Sequence, residues 1–167
     1  MHDLVQALRP FAIDALPSNA IISLMTPETF LRLASPSSSR IQIQHRERLL
    51  KRLYEQHVRF ASLPEFILTL NGTDAQVLMH DGRHRVIVLR DHDAALIPVV
   101  IHIESDSGQC LDTHQSAACL DTLVNIFPQV HEDDEAYPDL SDEELEERLG
   151  PLPARDIFNH LFSTAAN

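Results

Sequence analysis

The chain reads His80-Asp81-Gly82-Arg83-His84-Arg85 where a predicted strand passes into a predicted helix. A glycine in such a turn lets the backbone approach a ligand closely, because no side chain intervenes. Amide hydrogens in the first turn of the following helix lack partners within the helix, and the helix dipole is positive there. We therefore predict that this turn binds an anion such as a phosphate group.

The side chains of the same turn strengthen this prediction. Arg83 and Arg85 carry guanidinium groups that suit phosphate oxygens, and His84 transfers protons near neutral pH. Asp81 has three open roles at the rim: to hold a magnesium ion, to orient a water molecule, or to fix Arg83 in place. The candidate catalytic residues are Asp81, His84 and Arg85, and the candidate phosphate-binding residues are Gly82, Arg83, His84 and Arg85.

A plainer interpretation stays open, since Asp-Gly is a common turn and Arg-His-Arg also suits a solvated helix start. The flanking elements favour the first interpretation. Strands are predicted at Glu65 to Leu70 and Ala75 to Met79, around the hairpin signal Asn71-Gly72. The helix is predicted over Val86 to His92, and a strand over residues 96–104, with Pro98 near its start.

A second cluster of charge lies upstream, after a predicted strand at Ala20 to Met25 and a helix capped by Thr26. The spacing of apolar residues predicts a long helix from Arg40 to Phe60. This helix carries six basic residues against two acidic ones. Its candidate nucleic-acid surface is Arg48, Arg52 and Arg59. A plain solvated surface is the alternative, and His45 and Glu47 are expected to be solvated.

The C-terminal third is strongly acidic. Residues 131–148 contain ten acids and one base, so they hold most of the net charge of −12. Helices are predicted around Ser116 to Ile126, from a capping box at Ser141, and over Ala154 to Phe162. Three interpretations of the acidic segment stay open: a solvated tail, a cover for the basic helix, or a mimic of nucleic acid that binds a protein partner.

Bulk properties exclude some classes of protein. No run of about 18 apolar residues is present, so no membrane span is expected. The N-terminus lacks the pattern of a secretory signal. The two cysteines, Cys110 and Cys119, do not form the pattern of a disulfide framework. We therefore expect a cytoplasmic protein.

The segment from Val77 to Ile103 resembles the ParB/sulfiredoxin-like superfamily. The matching features are the strand ending in Val-Leu-Met, the turn Asp-Gly-Arg-His-Arg, a short helix, and the strand Ile-Pro-Val-Val-Ile. The stretch from Ile22 to Leu31 is similar to the entry segment of phage- and plasmid-borne ParB-like nucleases. Gly82, His84 and Arg85 match the motif of the superfamily residue by residue.

Two departures narrow what the resemblance implies. Sulfiredoxins have a catalytic cysteine at the position of Arg83, so sulfinic-acid reduction is not expected. Chromosome-partitioning members carry Gly-Glu-Arg-Arg and a downstream DNA-binding domain, whereas this chain has Gly-Arg-His-Arg and an acidic tail. The resemblance then implies binding of a nucleotide (ATP or CTP, with Mg²⁺) or DNA, and the chemistry of a nuclease, a nucleotide hydrolase or a small-molecule kinase.

We accordingly predict an α/β (α+β) fold: a compact mixed sheet with flanking helices and a helical, acidic C-terminal extension. The predicted divisions are an N-terminal segment (1–19), a ParB/sulfiredoxin-like core (20–106) and the extension (107–167). The alternative function is a non-catalytic interaction or inhibitor protein that binds a partner protein through its acidic extension.

Overall fold

The computed structural model of the chain describes residues 2–35, 40–128, 141, 143–144, 147 and 162–163. These residues form a mixed α/β structure with five helices and a five-stranded mixed sheet. The helices are α1 (His2–Leu8), α2 (Pro27–Leu33), α3 (Arg40–Glu55), α4 (Arg83–Asp91) and α5 (Thr113–Thr122). The strands of the sheet are β1 (Ile21–Met25), β3 (Glu65–Asn71), β4 (Asp74–Asp81), β5 (Ile97–Glu104) and β6 (Ile126–Phe127). Two further strands, β2 (Arg59–Phe60) and β7 (Phe162–Ser163), pair with each other.

The sheet has the order β1-β5-β3-β4-β6, with β5 in its interior. β5 pairs antiparallel with β1 and parallel with β3, and its first five residues are all buried. Its nearly continuous apolar sequence is typical of a strand buried on both faces. Pairing with β3 begins at Val100, so Pro98 precedes that ladder and its missing amide hydrogen does not interrupt it.

The β3–β4 hairpin leads directly into α4. Gly72 turns the hairpin at φ 64°, as the Asn-Gly signal predicted. A register irregularity at Ile67 and Leu68 lies within the pair. At the far end Glu65 pairs with Asp81, and only Gly82 separates β4 from α4. The predicted turn was therefore too long: His80 and Asp81 belong to the strand, and the helix begins at Arg83 rather than Val86.

Helix α1 contacts β5 of the sheet, and helix α5 contacts β1. Thr26 caps α2 as predicted, because its hydroxyl accepts a hydrogen bond from the Thr29 amide at 3.2 Å. Both α2 and α3 pack against α4. Beneath them Phe30 and Phe66 stack with ring centroids 4.4 Å apart, and both side chains are buried. This stack joins α2 to the centre of the sheet.

The prediction of one helix from Arg40 to Phe60 was wrong at its C-terminal end. The helix stops at Glu55, and His57 adopts a left-handed conformation with φ 64°. The Val58 amide donates to the Leu53 carbonyl at 3.1 Å, which closes the helix. Phe60 is fully buried in β2, so core packing overrides the helical spacing there.

The C-terminal predictions have mixed outcomes. The helix predicted around Ser116 to Ile126 is α5, which stops at Thr122, so the predicted end was wrong: Ile126 lies in β6, which pairs with β4. The capping box at Ser141 is confirmed by reciprocal bonds with Glu144 of 2.8 and 3.2 Å. Phe162 lies in β7 and not in a helix. Residues 154–161 of that predicted helix lie outside the described residues.

The predicted divisions of the chain stay predictions. The buried apolar cluster contains Phe11 from the N-terminal segment, and β6 from the C-terminal part belongs to the sheet. Within the part of the chain that the structure describes, no helix is long and apolar enough to cross a membrane.

We predict that Phe66→Ala lowers the free energy of unfolding by about 3–5 kcal/mol, because it removes a ring that is 1% exposed and leaves a cavity. Phe127→Ala, at a side chain that is 49% exposed, is the matched control and is expected to cost about 0.5 kcal/mol or less. Urea denaturation of both variants measures the difference. Equal losses would contradict the assignment of the core.

Candidate functional site

Gly82 is the N-cap of α4 and has a left-handed backbone, with φ 96° and ψ 7°. No side-chain hydrogen bond caps the helix at this residue. The first turn closes when the Val86 amide donates to the Gly82 carbonyl at 3.0 Å. The amide groups that precede Val86 in the helix therefore lack intrahelical acceptors, which is the arrangement that binds anions at helix N-termini.

The side chain of Arg85 lies inside the protein, directly beneath this turn, and is only 1% exposed. Its Nη1 donates to the Ser62 hydroxyl, and its Nη2 donates to the Leu63 carbonyl at 3.4 Å and to Asp81 Oδ2 at 2.7 Å. Its buried Nε has no hydrogen-bond partner among the described residues. Through these hydrogen bonds Arg85 connects the end of β4 and the segment before β3 to the first turn of α4. Its guanidinium does not reach the surface as a phosphate ligand would.

Close packing around this guanidinium requires a glycine at position 82. A Cβ atom there would lie 2.7 Å from Arg85 Nη2 and 2.8 Å from Pro64 Cα. Both distances are shorter than ordinary van der Waals contact, and the positive φ already disfavours other residues. The glycine predicted for ligand approach is therefore also needed for the fold.

Asp81 supplies the carboxylate that pairs with the buried guanidinium of Arg85, and the Asp81 side chain itself is 62% exposed. One of the roles predicted for Asp81 was to fix Arg83 in place. In the structure its carboxylate pairs with Arg85 instead. Within the described residues, no group of three or more histidine, cysteine, aspartate and glutamate side chains is arranged to hold a metal ion. The magnesium role of Asp81, a single carboxylate engaged by Arg85, stays a prediction.

His84 pairs with Glu47 of α3, with 3.1 Å between Nδ1 and Oε1. Both side chains are largely buried, at 18% and 25% exposure. An ionised carboxylate only accepts hydrogen bonds, so Nδ1 carries the hydrogen, and in a neutral imidazole Nε2 keeps its lone pair. The expectation that Glu47 is solvated was wrong. Its contact depends on the packing of α3 against α4, which no local sequence signal reveals.

The remaining residues of the predicted turn, Arg83 and His80, lie in α4 and β4 respectively. Arg83 is the first residue of α4 and is partly buried. His80 lies in β4 opposite the core residue Phe66, whereas His84 faces α3, so the two histidines occupy different elements. A metal pair formed by these two residues is not supported by this placement.

The candidate nucleic-acid surface is divided by the fold. Arg48 lines a groove of about 350 Å³ between α3 and α4, and Arg52 is exposed. Arg59 lies beyond the helix in β2, donates from Nη2 to the Phe11 carbonyl, and lines another cavity of about 590 Å³. Tyr54 lines that second cavity, and burial raises the pKa of its phenol. The three arginines therefore do not form one continuous face.

We define the α3/α4 groove by the residues that line it: Gln44, Glu47, Arg48, Lys51, Ile87, Val88 and Asp91.

Comparison with known proteins found no matching family model, no similar curated protein and no similar solved structure.

We predict that Gly82→Ala destabilises the protein more than Gly72→Ala. Both glycines have positive φ, but nothing lies within 4 Å of a Cβ at position 72. Backbone strain is expected to cost about 1–2 kcal/mol at each position, and the close contacts at position 82 add about 1–3 kcal/mol. Thermal and urea unfolding of the two variants measure the difference, and equal losses would show that the contacts at Gly82 are not restrictive.

Proposed function

We propose that the first turn of α4 binds a phosphate group of a nucleotide or nucleic acid. The observation that carries this proposal is the buried Arg85 guanidinium beneath the uncapped, left-handed Gly82 turn. The amide dipoles and the guanidinium both favour an anion at the same place. Arg83, at the first position of the helix, adds a second guanidinium group.

The charge of Arg85 is only partly offset by Asp81. The guanidinium is buried, whereas its carboxylate partner is mostly exposed and therefore screened by water. A phosphate at the helix terminus would complete the neutralisation without moving the arginine. Arg85 acts in this proposal as a positioning residue. Its hydrogen bonds hold the turn in place, and its positive charge attracts the anion through space rather than by direct contact.

The resemblance to the ParB/sulfiredoxin-like superfamily supports the same ligand. The order of strand, glycine turn, short helix and Ile-Pro-Val strand is the order on which the resemblance rests. It extends the proposal to a ParB-like nuclease or nucleotide hydrolase that uses ATP, CTP or DNA. The proposed site residues stay Asp81, Gly82, Arg83, His84 and Arg85.

The contact between His84 and Glu47 supports a hydrolytic step. Nε2 of His84 would take a proton from water as the water oxygen bonds to phosphorus. The bond from phosphorus to the leaving oxygen breaks, and the proton passes to that oxygen. Glu47 holds the imidazole in the required tautomer. A bound Mg²⁺ would supply charge neutralisation at the phosphate oxygens.

A second candidate is a non-catalytic interaction protein that binds a partner through the acidic extension. The confirmed capping box supports it, because Glu143, Glu144 and Glu147 are exposed on the helical turn that follows Ser141. An acidic helical turn presented to solvent suits a basic partner surface.

We predict that ATP, CTP or DNA binds the wild type and that Arg83→Ala weakens this binding about 10-fold or more, through loss of a charge-assisted contact. Arg90→Ala, at the other end of α4, is the matched control and is expected to change affinity little. Isothermal titration measures both variants. No binding of any of the three ligands by the wild type would remove the proposal.

We predict further that turnover with magnesium depends on His84. His84→Ala is expected to lower the rate about 100-fold or more while leaving ligand affinity within a few-fold. Release of inorganic phosphate or cleaved DNA measures the rate. Binding without turnover in the wild type would favour a sensor or adaptor over an enzyme.

A further inference from the structure

His92 lies where the C-terminal end of α4 meets the C-terminal end of α3. It is the residue that follows α4 and caps it, and its side chain is 28% exposed. Its Nδ1 lies 2.8 Å from the Val88 carbonyl oxygen. Its Nε2 lies 3.8 Å from Oε1 of Glu55, the last residue of α3. Each ring nitrogen of His92 therefore faces an oxygen atom, one on its own helix and one on the neighbouring helix.

Neither neutral form of this imidazole suits both oxygens, because a carbonyl oxygen and an ionised carboxylate only accept hydrogen bonds. With the hydrogen on Nδ1, the ring donates to Val88, and the lone pair of Nε2 faces the carboxylate of Glu55. With the hydrogen on Nε2, the lone pair of Nδ1 faces the Val88 carbonyl oxygen at 2.8 Å. The protonated ring carries a hydrogen on each nitrogen, so it donates to Val88 and attracts Glu55 at the same time.

The position of His92 in the fold also favours a positive charge on its ring. The C-terminal end of a helix is the negative end of its dipole, and His92 occupies that end of α4. The ring of Tyr54 packs against the imidazole, with centroids 4.8 Å apart and an angle of 71° between the planes. This contact holds the imidazole beside the last turn of α3, where Glu55 lies.

The more distant charges around His92 offset one another. The other charged or titratable groups that line the two cavities beside it are Asp3, Arg9, His57, Arg59 and Asp93. The two arginines of this set are exposed, so water screens their charge. Near the same end of α4, Asp91 contacts both Lys51 and Arg90. The effect of protonation is therefore decided by the two oxygen atoms that face the ring.

We infer that His92 forms a pH-dependent contact between α3 and α4, in which protonation of its ring draws Glu55 towards the end of α4 and stabilises the last turn of α3. Histidine changes its charge between about pH 8 and about pH 5. The stabilisation is present at the acidic end of this range and is lost as the pH rises. The contact is independent of the proposed function, because it lies at the opposite end of α4 from Gly82.

A double-mutant cycle tests this contact, with His92→Gln, Glu55→Gln and the double variant compared with the wild type by urea denaturation. At about pH 5 the coupling between the two residues is expected to change the unfolding equilibrium constant about 2- to 5-fold, as for other partly exposed ion pairs. At about pH 8 the coupling is expected to vanish, because the neutral ring no longer attracts the carboxylate.

His114 provides the matched control, because it is an exposed histidine of α5. The same cycle with His114→Gln in place of His92→Gln should show no coupling to Glu55 at either pH. Coupling of His92 and Glu55 that is equal at the two pH values, or absent at both, would overturn the inference.

Two NMR measurements follow the contact at the level of atoms. Long-range nitrogen-15 spectra of the His92 ring should show a hydrogen on Nδ1 at both pH values and on Nε2 only at the lower one. The Val58 amide closes the end of α3 by donating to the Leu53 carbonyl. After correction for the intrinsic rate, its protection from hydrogen exchange should rise on acidification in the wild type and not in His92→Gln. A neutral ring with its hydrogen on Nε2, or the same protection profile in both proteins, would contradict the inference.

Discussion

The arrangement of the candidate site depends on one buried cation, the guanidinium of Arg85. Removing a charge from water costs several kcal/mol unless its hydrogen bonds are replaced. Ser62, Leu63 and Asp81 accept hydrogen bonds from the two terminal nitrogens of the guanidinium, and they come from two separate segments of the chain. The burial of Arg85 therefore constrains β4, α4 and the segment before β3 to one mutual geometry.

Several other features follow from this constraint. Gly82 is needed because the guanidinium and Pro64 leave no space for a side chain. The helix then begins at Arg83 without a side-chain cap, and His84 in its first turn contacts Glu47 of α3. In the proposed function, a turn held in this way needs no ordering of the loop before the anion binds. The same geometry connects the turn to the α3/α4 groove.

Local sequence patterns were sufficient to predict most of the elements. Thr26 and the Asn-Gly hairpin marked boundaries through short-range chemistry, and the apolar run of β5 marked a buried strand. The long-range contacts were not predictable in this way. Arg85 looked like a surface ligand, because its partners Ser62 and Leu63 lie more than 20 residues away. The end of α3 was missed for a similar reason: burial of Phe60 overrides helical spacing.

We propose the first turn of α4 as an anion site organised by a buried arginine. Titration of the nitrogen-15-labelled protein with pyrophosphate tests it most directly, because each backbone amide reports its own contact. We expect saturable shifts of the Gly82, Arg83, His84 and Arg85 amide signals, with smaller changes at Asp81. Shifts concentrated instead at the cavity lined by Arg9 and Arg59, or no saturable shift in α4, would contradict it.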